Sequence, residues 1–171
     1  MAVNEISTAM LAEFEQELAT TRRFLERVPE DKLAWRPHEK SMTAGQLALH
    51  MAQVPEGVLR FAVQDVAEAP DFNAGRPGPE SLREVLDTLE AGAAFVREQL
   101  PAIDDARMRA TFRVTQGGQQ IMSLPRMAFL RSVLLNHWYH HRGQLGVYLR
   151  LLGVSVPSSY GPSADEMPKF S

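Results

Sequence analysis

The chain has 171 residues, 44% hydrophobic and 23% charged, with a formal net charge of −3. That length suits one domain, residues 1–171, with a core of its own. The absence of cysteine excludes disulfides, thiolate-ligated zinc or iron–sulfur sites and a catalytic thiol, so a transition metal would need histidine, carboxylate or thioether ligands. The 21 acidic against 18 basic residues argue against a phosphate-binding surface, and no nucleic-acid partner is expected. Met1 to Glu5 includes an acidic residue and no apolar run, and no stretch approaches the roughly 18 apolar residues of a membrane span. A cytoplasmic protein with no membrane partner is expected.

Helical periodicity marks four segments. In the first, Met10, Leu11, Phe14, Leu18, Thr21, Leu25 and Val28 recur at spacings of three and four, and Pro29 ends the run. Residues 29–42 read as a loop holding Trp35-Arg36-Pro37. The second helix opens on Thr43-Ala44-Gly45-Gln46, a capping-box pattern, and buries Leu47, His50, Met51, Val54, Val58 and Phe61. Pro55 inside it predicts a kink, because it removes a backbone donor. Residues 67–80 read as a linker, with Gly75-Arg76-Pro77-Gly78-Pro79 at its end.

The third helix starts at Ser81-Leu82-Arg83-Glu84, again a capping-box pattern, and runs through Val85, Leu86, Leu89, Ala93 and Val96 to Leu100 before Pro101. Residues 109–122 alternate around Gly117-Gly118 and predict a small β-hairpin. The fourth helix is expected from about Ser123, with Pro125 in its first turn, to Leu152, with Gly153 as terminator. Residues 154–171 read as an extended tail lying on the helices. The economical arrangement is all-α: a four-helix bundle with long connections.

Histidine placement carries the functional signal. Taking His137 as zero at 100° per residue, His141 falls at about 40°, among Leu130 and Tyr148 at about 20° and Leu134 and Leu152 at about 60°. Both imidazoles therefore lie in the stripe that faces the core. Gln144, at about −20°, shares that face and is placed to hydrogen-bond a ligand or a metal-bound group. Arg142, at about 140°, reads as a flank cation at a surface or interface. His50 lies in the inward stripe of the second helix. Two histidines at i and i+4 with a third from a facing helix make a three-nitrogen set suited to Zn, Ni, Fe, Mn or Co. Three separately hydrogen-bonded core histidines are the alternative. A metal satisfies all three at once, and buried imidazoles resist protonation. Glu56, Asp165 and Glu166 are further carboxylates that could support such a site.

Other sites are excluded. Trp138 follows His137, so there is no HExxH glutamate. The fourth helix has no Glu-x-x-His pair of the di-iron type. No nucleophile elbow, phosphate loop or dinucleotide fingerprint is present.

Three stretches resemble the DinB-like superfamily of metal-binding helical bundles. Ser41-Met42-Thr43-Ala44-Gly45-Gln46-Leu47-Ala48-Leu49-His50 is similar to its second-helix signature. His137-Trp138-Tyr139-His140-His141-Arg142-Gly143-Gln144-Leu145 resembles its HxxxHRGQ motif, and residues 156–166 are similar to the tail of one subgroup. The resemblance implies a metal triad of His50, His137 and His141, a homodimer, and kinship with thiol-dependent isomerases and S-transferases. The expected function is metal-dependent activation of a low-molecular-weight thiol or of water towards a small-molecule electrophile. The alternative is a non-catalytic metal- or ligand-binding bundle with a stress-response or sequestering role.

Overall fold

The computed structural model describes residues 4–71 and 75–168. The fold is mostly helical with a small three-stranded sheet. Its elements are α1 (Glu5–Leu25), α2 (Ala44–Ala62), β1 (Val66–Glu68), α3 (Leu82–Gln99), α4 (Asp105–Arg109), β2 (Thr111–Gln116) and β3 (Gln119–Pro125). A final helical run comprises α5 (Arg126–Phe129), a π-helical segment (Leu130–Asn136) and α6 (His137–Leu151).

The apolar stripes read from sequence form the core. Phe14 and Leu18 of α1, Leu47 and Met51 of α2, Leu89 and Val96 of α3, and Leu134 and Leu145 of the final run are all buried. Local chemistry sets the ends of the helices. Thr43 accepts from Gln46 N–H at 3.1 Å while the Gln46 amide oxygen accepts from Thr43 N–H at 2.9 Å, which completes the capping box. Ser81 caps α3 from one side only, because the Glu84 carboxylate accepts from Glu80 N–H instead. Gly153, at φ 71°, ends α6 in a Schellman turn, with Val154 N–H donating to Leu149 C=O and Gly153 N–H to Arg150 C=O.

α2 continues through Pro55. Proline at 55 leaves the Met51 carbonyl without its helical partner. The buried Trp138 indole N–H donates to that carbonyl at 2.8 Å. The Trp138 ring stacks on Phe14, with centroids 5.3 Å apart. Gly92 lets α3 approach this same turn closely, since a Cβ there would stand 3.4 Å from Ala52 C=O.

Three expectations are corrected. The fold is not all-α, because the expected hairpin (β2–β3) extends to Pro125 and gains a third strand, β1, running parallel to β2. Only Ala67 of β1 is buried, so a three-residue strand showed no alternation to read. The last helix starts later and is interrupted by the π-helical turn. Arg142 is no flank cation: it is 2% exposed and donates to Glu17 of α1 at 2.5 Å. Its guanidinium lies against the rings of both Tyr139 and Tyr160, and Tyr160 also donates to Glu17.

Buried Arg126 fastens the sheet to the helices. It donates to the carbonyls of Ala62, Gln64 and Arg107 and to the Asp65 carboxylate, so it partners groups at and beyond the C-terminal end of α2. The tail does lie on the helices. Glu166 accepts from Arg23 of α1 and from Arg27 just beyond it, and Asp165 from Arg150 of α6. Residues 169–171 of the expected tail lie outside the described residues.

Replacing Trp138 by Phe orphans the Met51 carbonyl and is expected to destabilise the fold by about 1–3 kcal/mol, read by chemical denaturation. Adding Pro55→Ala restores a backbone donor to that carbonyl, so the double variant should lose less than the sum of the two single ones. Strict additivity would show that the indole bond has no such role.

Candidate metal centre

His50 sits in the middle of α2, while His137 and His141 occupy the first two turns of α6. Their side chains meet between the two helices. The Nε2 atom of His137 lies 3.1 Å from that of His50 and 2.6 Å from that of His141. One ligand atom from each of the three residues falls within 4.8 Å of the others, a set that could hold a metal ion. The packing that brings them together is the Trp138–Met51 bond, since Trp138 adjoins His137 and Met51 adjoins His50.

Gln144 fixes the orientation of His141. Its side-chain oxygen accepts from His141 Nδ1 at 2.9 Å, which leaves the Nε2 lone pair of that ring bare and pointing into the cluster. The Gln144 amide nitrogen reaches Tyr148 Oη, which donates to the Met42 carbonyl at 3.2 Å; Trp35 packs edge-on against the Tyr148 ring. A chain of contacts thus runs from His141 to the loop before α2. Gln144 therefore acts on His141 and is a positioning residue.

The three rings strongly favour the neutral state. Burial pushes His50 down to about 3 and His137 to about 4, and it lowers His141 as well. The positive charge of Arg76 adds to the depression of all three. Neutral imidazoles have lone pairs free to ligate, and a cation among three converging Nε2 atoms satisfies all of them at once. The donor set therefore fits a transition metal: three borderline nitrogen ligands, with remaining positions for water or substrate.

Two cavities share these histidines. One, of about 400 Å³, is walled by Val54, Val58 and Phe61 of α2, Val114 of β2, and Phe129 and Val133 of the final helical run, with His50 and His137 at its edge. The other, of about 480 Å³, is the more polar of the two and contacts all three histidines together with Gln46, Gln53, Asp71 and Arg76. Arg76 is held by Gln46, whose amide donates to its carbonyl at 2.6 Å, and its guanidinium points to the Met42 sulfur at 3.3 Å.

Sequence reasoning missed Arg76 and the cavity walls. The signal was an arginine set in a Gly-Pro run, which was read only as linker. The proposed supporting carboxylates lie elsewhere: Glu56 pairs with Arg60 one turn on, while Asp165 and Glu166 clasp the tail. His140 is exposed and His38 lies in the loop before α2.

A mostly helical protein whose two facing helices bring three histidines to one point defines the class. The DinB family model matches residues 1–169, and the chain belongs to the DinB family. It is 28% identical over 161 residues to YrdA of Bacillus subtilis (strain 168), covering 94% of this chain and 91% of that protein. A DinB-like protein from Bacillus cereus ATCC 10987 shares the fold, with a TM-score of 0.67 at 23% identity over 88% of this chain and 95% of that one. The DinB-like protein YjoA of Bacillus subtilis does so at 0.65 and 19%, covering 88% of this chain and 96% of its own. No helix among the described residues is long and apolar enough to cross a membrane.

The depressed histidines give the metal-free protein a definite pH response. An unfolded histidine takes up a proton near pH 6.5, whereas His50 and His137 resist until about pH 3 and 4. Stability should be level above pH 7.5 and fall as pH drops below about 6.5, because the unfolded chain then binds the extra protons. Melting temperatures in chelator between pH 8 and 5 test this, and His50→Gln should flatten the fall. A flat wild-type profile would contradict the burial argument.

Proposed function

We propose that the protein is a metal-dependent enzyme of the transferase or hydrolase type, acting on a small electrophile with a thiol or water as nucleophile. The observation that carries this reading is the convergence of three imidazole Nε2 atoms at a point open to both an apolar cavity and a more polar one. A pure binding site needs one ligand compartment. Two compartments of different polarity meeting at one cluster suit two reactants. His50, His137 and His141 would hold the ion. When bound, a divalent ion lowers the pKa of a thiol or water and so supplies a nucleophile at neutral pH.

The chain's own residues supply the rest. Gln144 keeps His141 in the tautomer that ligates, and Tyr148 keeps Gln144 in place. The more polar cavity, with Arg76, Asp71 and the Gln53 and Gln46 amides in its lining, receives the hydrophilic reactant. Without cysteine the protein has no sulfur nucleophile of its own, so a low-molecular-weight thiol would come from a reducing cytoplasm. The helices fit the four-helix-bundle reading, α5–α6 with its π turn serving as the fourth. Val147 and Leu151, each 59% exposed on one face of α6, support a homodimer that covers them.

Protein purified without a metal-affinity tag is expected to carry about one divalent transition-metal ion per chain by elemental analysis, and His137→Ala should lose most of it. Turnover of an electrophile panel should require both the metal and either a thiol or water. Full turnover after metal removal would refute the proposal, and tight ligand binding with no product would favour the sequestering alternative. Light scattering should give twice the chain mass, and Val147→Glu should halve it.

A further inference from the structure

The apolar cavity contains more hydrophobic side chain than the fold needs. Ile121 and Met122 of β3 are 49% and 36% exposed, yet both line this space rather than packing into the core. They face α2 across the cavity, where Gly57 is the one lining position without a side chain. A Cβ built on Gly57 would meet nothing within 4 Å. Glycine in mid-helix costs about 1 kcal/mol relative to alanine, and neither a turn nor a close contact calls for it here. Gly92 shows the contrast, since a Cβ there would meet α2 backbone.

We infer that this cavity is a substrate subsite for an apolar group, entering between α2 and β3 with its head at the histidines, and that Gly57 sets the group's size. The inference rests on the reading of the histidines as a metal centre for the head group. The cavity's own chemistry is independent of that reading. A cavity of about 150 Å³ holds one benzene ring, so about 400 Å³ accommodates a two-ring group or a chain of about eight carbons. The lining offers Gln53, His50 and His137 as polar groups at one edge and hydrocarbon elsewhere. A substrate with a polar reactive end and an uncharged hydrocarbon tail matches both. Charged and highly hydroxylated tails do not, because burying their polar groups without partners opposes binding.

Alkyl hydroxamates, which carry a metal-binding head on a tail of chosen length, test the idea by calorimetry on zinc-loaded protein. Affinity should rise by up to roughly fourfold per methylene from acetohydroxamate to octanohydroxamate. Gly57→Leu fills the space and, as a better helix former, should fold; the ratio of the two affinities should then fall at least tenfold. Octanamide, which lacks the chelating head, should bind metal-free wild-type protein by ligand-observed NMR and fail to bind Gly57→Leu. Octanamide binding lost in Gly57→Leu, with no hydroxamate binding at all, would keep the subsite and overturn the metal reading. Equal affinity for short and long hydroxamates, or a length dependence unchanged in Gly57→Leu, would overturn the subsite.

Discussion

The site depends on one hydrogen bond from an indole to a carbonyl. Pro55 cannot donate to Met51, so α2 carries a buried acceptor at mid-length, and an unpaired buried carbonyl is costly. Trp138 supplies the missing donor from the opposite helix. The donor and acceptor residues each adjoin a histidine of the cluster. A defect in one helix thereby becomes the tie that sets the distance between two ligand-bearing helices. The Phe14 ring stacked on Trp138 brings α1 into the same arrangement.

On the far side of α6 the tie is electrostatic. Arg142 is one residue past His141 and therefore points away from the cluster, where it meets Glu17 in a buried pair roofed by Tyr160. Such a pair adds little net stability over a hydrophobic contact, but breaking it leaves an uncompensated charge. It therefore opposes rotation of α6 about its axis. The helix that carries two of the three histidines is thus held by an indole on one flank and a guanidinium on another. The Gln144–Tyr148–Met42 chain holds the ring of His141 in turn.

The sequence disclosed those features that repeat at a helical period. The stripes of α1, α2 and α3, the Thr43 and Ser81 caps, the Gly153 terminator and the inward phase of His50, His137 and His141 all follow from local pattern. Features that need a partner distant in the chain did not. Arg142 was misjudged because its angle alone does not reveal an acid on another helix. Glu17 gave a hint, three residues after Phe14 and four before Thr21 in the apolar stripe of α1. β1 is too short to alternate, and its pairing with β2 joins segments more than forty residues apart. The cavities are spaces between elements and have no linear signature.

The π-helical segment before His137 gives the site a property of its own. A π turn accommodates a residue that an α-helix would exclude, and each α-helical residue turns the chain by about 100°. Leu130–Asn136 therefore acts as an angular offset between the sheet-anchored start of the final helix and its ligand-bearing half. Shortening that segment by one residue would leave His137 and His141 still aligned with each other but turned away from His50. The cluster is thus separable into a pair written into one helix and a third member joined to it by phase alone. Evolution could make or unmake the three-histidine set by indel, without substituting a single histidine.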